Sequence, residues 1–386
     1  MSDALLPQFP DPRVHEDPGT APEPLRTWYA LAAQSLGAAT PAISDARDDD
    51  LRRALLPALE RDARVVEGAI EHAPTPFVAR HLWRLVDELW RATSGQDALA
   101  ITTFALPLAI VAGVIAPGVE SVTLPAVLPD VQAVARVMRE GGALRGNQAF
   151  TFSAALVPAS TLGIATWPAW QRLRSIVRAQ HLGDDALFMP APMHVTAGSE
   201  SVHLRFLVGT AMAAAGVDLL AERTVGRWGA AVTKELVRQL AHEHVSVLPL
   251  PRPPQSPLPA RHDGLVAQRD ISAQLFASNA IRKLRAASGE PSAVISSHRA
   301  QDAPGGGELR LSLSSPFAPR DAEGFRCPIH PIEPVGIPLR MLLDLLRDCR
   351  VQDVRLVAGV HPDTAAGSGM PLFFRPDTIP GDALLQ

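Results

Sequence analysis

Apolar positions recur at helical spacing through the first quarter of the chain. Leu25, Trp28, Tyr29, Ala32 and Leu36 predict a helix over about residues 23–37. Leu51, Leu55, Leu59, Val66 and Ile70 predict a second, ending near 72, with Pro57 placed to kink or split it. Phe77, Leu82, Leu85, Leu89 and Trp90 mark a third over about 76–93. The acidic run SDARDDD reads as a solvated cap at the positive end of the second helix. Ahead of these, residues 1–22 are rich in Pro and Asp without an apolar period and read as a flexible arm, leaving 23–96 as a helical segment.

From Asp97 the period changes. Strand-like runs at 101–114 and 149–157 alternate with amphipathic helices at 129–140 and 167–180. Segments 192–198 and 201–208 predict a hairpin around Gly198-Ser199, and Thr224–His244 is mostly helical, so 97–244 is an α/β region with buried strands. Within it, Ala98 to Val119 is a run of 22 residues without one charge. A membrane helix needs roughly 20 apolar residues, but this run holds Pro107 and Pro117, begins with strand-forming Ile101-Thr102-Thr103-Phe104, and has acidic flanks. It reads as two buried strands broken at Pro107.

Leu248 to Gly264 contains six prolines and reads as an extended connector rather than a PxxP ligand. Around and beyond it come a strand at Val245–Leu250, a helix at Ala267–Ala287, strands at Ala293–His298 and Glu308–Ser314 about the DAPGGG turn, a helix at Pro338–Cys349 and a strand at Val354–Val360. That βαββαβ order is ferredoxin-like over 245–378. The expected class is α+β: an N-terminal helical segment, mixed sheet layers with helices, and this C-terminal block. Leu311 to Pro334 reads as a mostly irregular loop, folded around Phe317 and Phe325, that would act as a lid or partner contact.

Charge adds exclusions. With 36 basic and 40 acidic residues the formal net charge is −4, and no region is basic enough to suggest nucleic-acid binding. Only Lys234 and Lys283 are lysines, an arginine bias typical of a GC-rich, bacterial coding sequence. Two cysteines and no basic-then-apolar leader point to a reducing cytoplasm. No membrane partner is expected, and oligomeric state is not encoded in any pattern.

Candidate chemistry concentrates toward the C-terminus. At about 100° per residue, Gln268, Ser272, Asn279 and Lys283 share roughly a 60° window on one helix, a face suited to a protein partner or small anionic ligand. Arg320 and Arg326 in the 311–334 loop would extend it. Ser296, Ser297 and His298 end one strand, and His361 with Asp363 ends another. Strand ends commonly carry site residues, and a nucleophile, base and orienting carboxylate would serve a hydrolase or transferase. No nucleophile elbow, P-loop or dinucleotide fingerprint is present. Cys327-x2-His330 has metal-ligand spacing, with Cys349 and His361 as further donors, but the second tight pair of a zinc module is missing, and no metal or cofactor is expected. The preferred function is therefore binding or assembly rather than catalysis. The alternative is a hydrolase or transferase using His298, His361 and Asp363.

Overall fold

The computed structural model describes residues 9–13, 19, 21–91, 99–112, 121–124, 126–143, 150–172, 193–196, 201–214, 225–240, 245–250, 254–299, 306–315, 318–362, 373–376, 379 and 384. The class is α+β, with two four-stranded sheets and one two-stranded sheet among these residues. The chain forms two compact units, neither contiguous in sequence: one of residues 1–48, 68–83 and 269–386, the other of 49–67 and 84–268. No helix among the described residues is long and apolar enough to cross a membrane.

The three N-terminal helices are α1 (Glu23–Leu36), α2 (Pro41–Glu71) and α3 (Pro76–Arg91). Helix α2 starts before the acidic run, with the Thr40 side chain capping the Ile43 amide. Its break falls at Asp62 (φ −155°, ψ 91°) rather than at Pro57. The Asp62 carboxylate accepts the Arg64 amide at 3.1 Å, so it caps a fresh helix in place of the lost backbone bonds. The acidic run is not a uniformly solvated cap: Asp48 is buried, accepting from Ser35 Oγ at 2.6 Å and lying 2.8 Å from His81 Nε2.

The unit holding 84–268 is built on β1 (Leu99–Ala112), the described part of the uncharged run, which forms one strand there. With β2 (Ser121–Leu124), β3 (Phe150–Val157), β4 (Met193–Thr196), β5 (Ser201–Ala214) and β6 (Val245–Pro249), it gives a sheet of order β3-β5-β1-β6 and a separate β2-β4 pair. Strands β1 and β5 are in antiparallel register from Leu99↔Ala214 to Ala112↔Ser201, straight through Pro107↔Phe206. Pro107 does not break the strand because its missing N–H would point to the β6 side, where pairing ends; its carbonyl still accepts the Leu250 amide at 3.2 Å. In place of the expected 192–208 hairpin, β4 pairs with β2 among the described residues; the 198–199 turn lies outside them, as does 173–180 of the helix expected at 167–180. Helices α4 (Val131–Glu140) and α5 (Gly229–Leu240) cover this sheet through Val134, Met138, Val232 and Leu236, all buried against Phe104, Phe150 and Phe152.

The polyproline connector is shorter than expected. Helix α6 (Pro257–Ser288) begins at Pro257, since proline lacks only an amide that the first helical turn leaves unbonded anyway. The first unit's sheet has the order β10-β7-β8-β9, from β7 (Ser292–Arg299), β8 (Gly307–Ser315), β9 (Ala318–Pro328) and β10 (Asp353–His361), with α7 (Gly336–Asp348) before the last strand. This corrects the ferredoxin-like expectation. Strand β6 bonds to β1 in the other sheet, and the supposed irregular excursion supplies β9, an antiparallel neighbour of β8. The apolar face of β7, β8 and β10 packs with Ala273, Ala277, Ala280 and Ile281 of α6 and Leu339, Leu342 and Leu346 of α7. The expected flexible arm is anchored at 9–13: Phe9 joins this core and Arg13 donates to the His330 and Pro331 carbonyls at 3.0 Å.

The first sheet packs closely enough to be tested at one position. A Cβ on Gly209 would stand 2.4 Å from the Phe104 ring. Gly209→Val is therefore expected to cost about 1–3 kcal/mol through overpacking, read as a lower urea midpoint with an unchanged slope.

Candidate functional site

Strand register arranges the sequence-predicted residues into rows on one face of the second sheet. Alternation along β8 sends Leu309, Leu311 and Leu313 to the helix-covered core and Glu308, Arg310, Ser312 and Ser314 to the other face. One row runs His361↔His298↔Glu308 across β10, β7 and β8. The next runs Ser296↔Arg310↔Arg326 across β7, β8 and β9. A third runs Arg355↔Val294↔Ser312↔Gly324.

These polar side chains are buried. Ser296 and His298 are each 1% exposed, and their side chains share a hydrogen bond of 2.8 Å between Oγ and Nε2. The His298 and His361 rings lie 5.3 Å apart, and Phe374 stands 4.6 Å from the His361 ring. Arg310 Nε donates to Glu308 Oε1 at 2.5 Å, and Arg326 Nε lies 3.6 Å from the same oxygen. A shift of register between Leu356 and Val360, with Gly359 at φ 82°, re-aims β10 so that His361 comes beside His298. Burial holds the His361 imidazole below its ordinary 6.5, opposed by a hydrogen bond involving the Ala358 backbone. Its Nε2 is buried without a hydrogen-bond partner among the described residues.

The structure thus joins Ser296, His298, His361 and Arg326, but Asp363 lies outside the described residues. Ser297 faces away and donates to the Pro10 carbonyl at 2.8 Å. The other candidates scatter. Lys283 is paired with Glu323 at 3.0 Å, Asn279 accepts from Arg282 at 3.0 Å, and Ser272 is half-buried. Gln268, in the other unit, donates to the Val202 carbonyl at 2.8 Å; the Arg320 side chain lies outside the described residues. The four metal donors do not converge. Cys327 is in the helix-side core, where burial pushes its thiol up to about 12, and Cys349 packs against that same core, whereas His361 is on the opposite face. His330 is buried after β9, and no metal-holding group of three or more such donors occurs among the described residues. Both cysteines are free thiols.

A second place was not legible as a site. Helices α6 and α7 flank a cavity of about 930 Å³ lined by Gln274 and Ser278 from one side and Ile337, Arg340, Met341, Asp344, Leu345 and Asp348 from the other. On α6 these polar positions stand roughly 130° around the axis from the predicted Ser272–Asn279–Lys283 face. That face looks toward the β9 edge instead, as the Lys283–Glu323 pair shows. Ile337 is 48% exposed at the groove, unusual for a large apolar side chain. Glu308, Arg310 and Ser312 were also missed, because alternation with leucine reads as an ordinary solvent face. Comparison with known proteins finds no matching family, no matching curated protein and no matching solved structure.

The depressed His361 gives a signed pH dependence. The unfolded chain takes up this proton first, so the contribution is whole above about pH 6.5 and is lost as pH falls through the folded pKa. Urea denaturation at pH 7.5 and 5.5 is expected to show a larger loss of stability for the native chain than for His361→Gln.

Proposed function

We propose that this chain is a binding protein whose partner presents an amphipathic helix to the groove between α6 and α7. The observation that carries the reading is the stripe Ile337, Met341 and Leu345, spaced four residues apart along α7 and lining a surface cavity. Opposite it, Gln274 and Ser278 offer hydrogen bonds one helical turn apart. Asp344 and Asp348 stand at the C-terminal end of α7, whose dipole adds further negative charge, so the partner's helix carries basic residues at that end. The Asp344–Arg347 pair at 2.8 Å is exposed and competes only weakly with such a residue. A reducing bacterial cytoplasm is part of the proposal, supported by the two free thiols and the arginine bias.

A second reading, hydrolase or transferase chemistry through His298, His361 and Asp363, is favoured by one observation, the Ser296–His298 hydrogen bond. That pair has nucleophile and base in contact, but both residues are buried.

Affinity purification from native cells with mass spectrometry separates the readings. A protein partner held by the native chain is expected to be weakened about tenfold or more by Ile337→Glu and by Met341→Glu, which put a charge on the apolar stripe, and kept by Lys283→Ala. Retention by both groove variants would overturn the groove. Covalent labelling of Ser296 by a phosphonate probe, abolished in His298→Ala, would favour the enzyme instead.

A further inference from the structure

Four arginines are buried among the described residues, and three of them have a carboxylate partner. Arg13 pairs with Asp11, Arg269 with Glu333 and Arg310 with Glu308. Arg205 is the fourth, 5% exposed and with no ion pair among the described residues. Its one hydrogen bond there runs from Nη1 to the Leu204 carbonyl at 3.2 Å, and its buried Nε has no partner. Burial pushes the guanidinium below its ordinary value, and no acid opposes that push. A buried charge left unpaired in this way is strongly destabilising. Strand register places the group: Arg205 stands opposite Leu108 of β1, His203 opposite Ile110 and Ser201 opposite Ala112. Alternation therefore puts Ser201, His203 and Arg205 on the face of the first sheet that α4 and α5 cover, where Leu207 continues the row into the apolar core. The row runs outward from buried Arg205 to half-buried His203 and Ser201, whose Nε2 and Oγ share a hydrogen bond of 2.8 Å. Burial first, and Arg205 second, hold the His203 imidazole below its ordinary 6.5, so above that pH Arg205 carries the one positive charge of the row.

We propose that Arg205 binds a small monocarboxylate, which reaches it past Ser201 and His203. With Nη1 given to Leu204, Nε and Nη2 remain as the guanidinium edge whose two parallel N–H bonds match the two oxygens of a carboxylate. One negative charge cancels one buried guanidinium, whereas a dianion such as phosphate would leave a net charge in the same desolvated place. This site lies in the unit of residues 49–67 and 84–268, and the residues lining the α6–α7 groove belong to the other unit, so neither site depends on the other.

Sodium acetate and sodium phosphate, titrated separately into the full chain by calorimetry at pH 8 against chloride of equal ionic strength, test this. Acetate is expected to bind saturably, and phosphate at least about tenfold more weakly. Arg205→Lys keeps the charge but loses the fork, and its acetate binding is expected to fall about tenfold or more. Should Arg205→Lys lose its near-ultraviolet circular dichroism, Arg205→Gln takes its place, and the comparison of the two anions on the native chain needs neither variant. Absence of acetate heat above the chloride control in the native chain would overturn the site. Acetate binding unchanged in the folded variant would overturn it too, as the mark of an adventitious ion only. Phosphate binding as tightly as acetate would overturn the assignment to a monocarboxylate.

Discussion

A guanidinium taken wholly out of water governs the second sheet. Arg310 has no exposed side-chain surface; Ser296 and Arg326 stand directly across from it, and its Nε donates to Glu308 on its own strand. Desolvating such a charge is costly, and the Glu308 carboxylate on the same strand offsets that cost. This explains why a strand lacking any exposed residue still alternates Glu, Arg, Ser and Ser with leucine. The chain returns at Phe373–Pro376, whose carbonyls accept from the buried Ser312 hydroxyl and from the half-exposed Arg355 guanidinium.

The opposite face obeys a simpler rule. Leu309, Leu311 and Leu313 meet the alanine side of α6 and the leucine side of α7, so apolar area leaves water without further polar accounting. A buried ion pair stands near that core: Arg269 Nη1 donates to Glu333 Oε2 at 2.5 Å, both side chains almost entirely enclosed. Removing either partner would strand a charge, which makes the pair a fastening for the start of the packed part of α6. With α6 and α7 held to the sheet by their apolar sides, their remaining surfaces leave the groove that carries the functional proposal.

Much of the element order could be read from the chain. Helices α1, α3 and α4, strands β3, β6, β7, β8 and β10, and helix α7 lie within a few residues of their expected places, because each shows a clear period and a recognisable end. Three of the misreadings share one cause. Pro107, the prolines of 257–259 and the 318–328 excursion all carry residues that discourage regular structure locally. Each is accommodated by its position: at the end of a β6 pairing, in a first helical turn, and on a sheet edge. Of the candidate residues, Ser296, His298, His361 and Arg326 were individually legible, yet their common face depended on the β9 strand and the β10 bulge.

What the sequence by itself determined is the alternation of apolar and polar positions, and hence which residues share a face of each strand or helix. Those are short-range consequences of the 3.6 and 2 residue periods. Which strands become neighbours, and what covers each face, was decided only by the tertiary structure. Pairing β6 with β1 and β10 with β7 depends on hydrogen bonds between segments far apart in sequence, which no local period encodes. For the same reason Glu308, Arg310 and Ser312 look like a solvent face in one dimension. The fold turns them into a buried polar floor under the chain's own C-terminal segment.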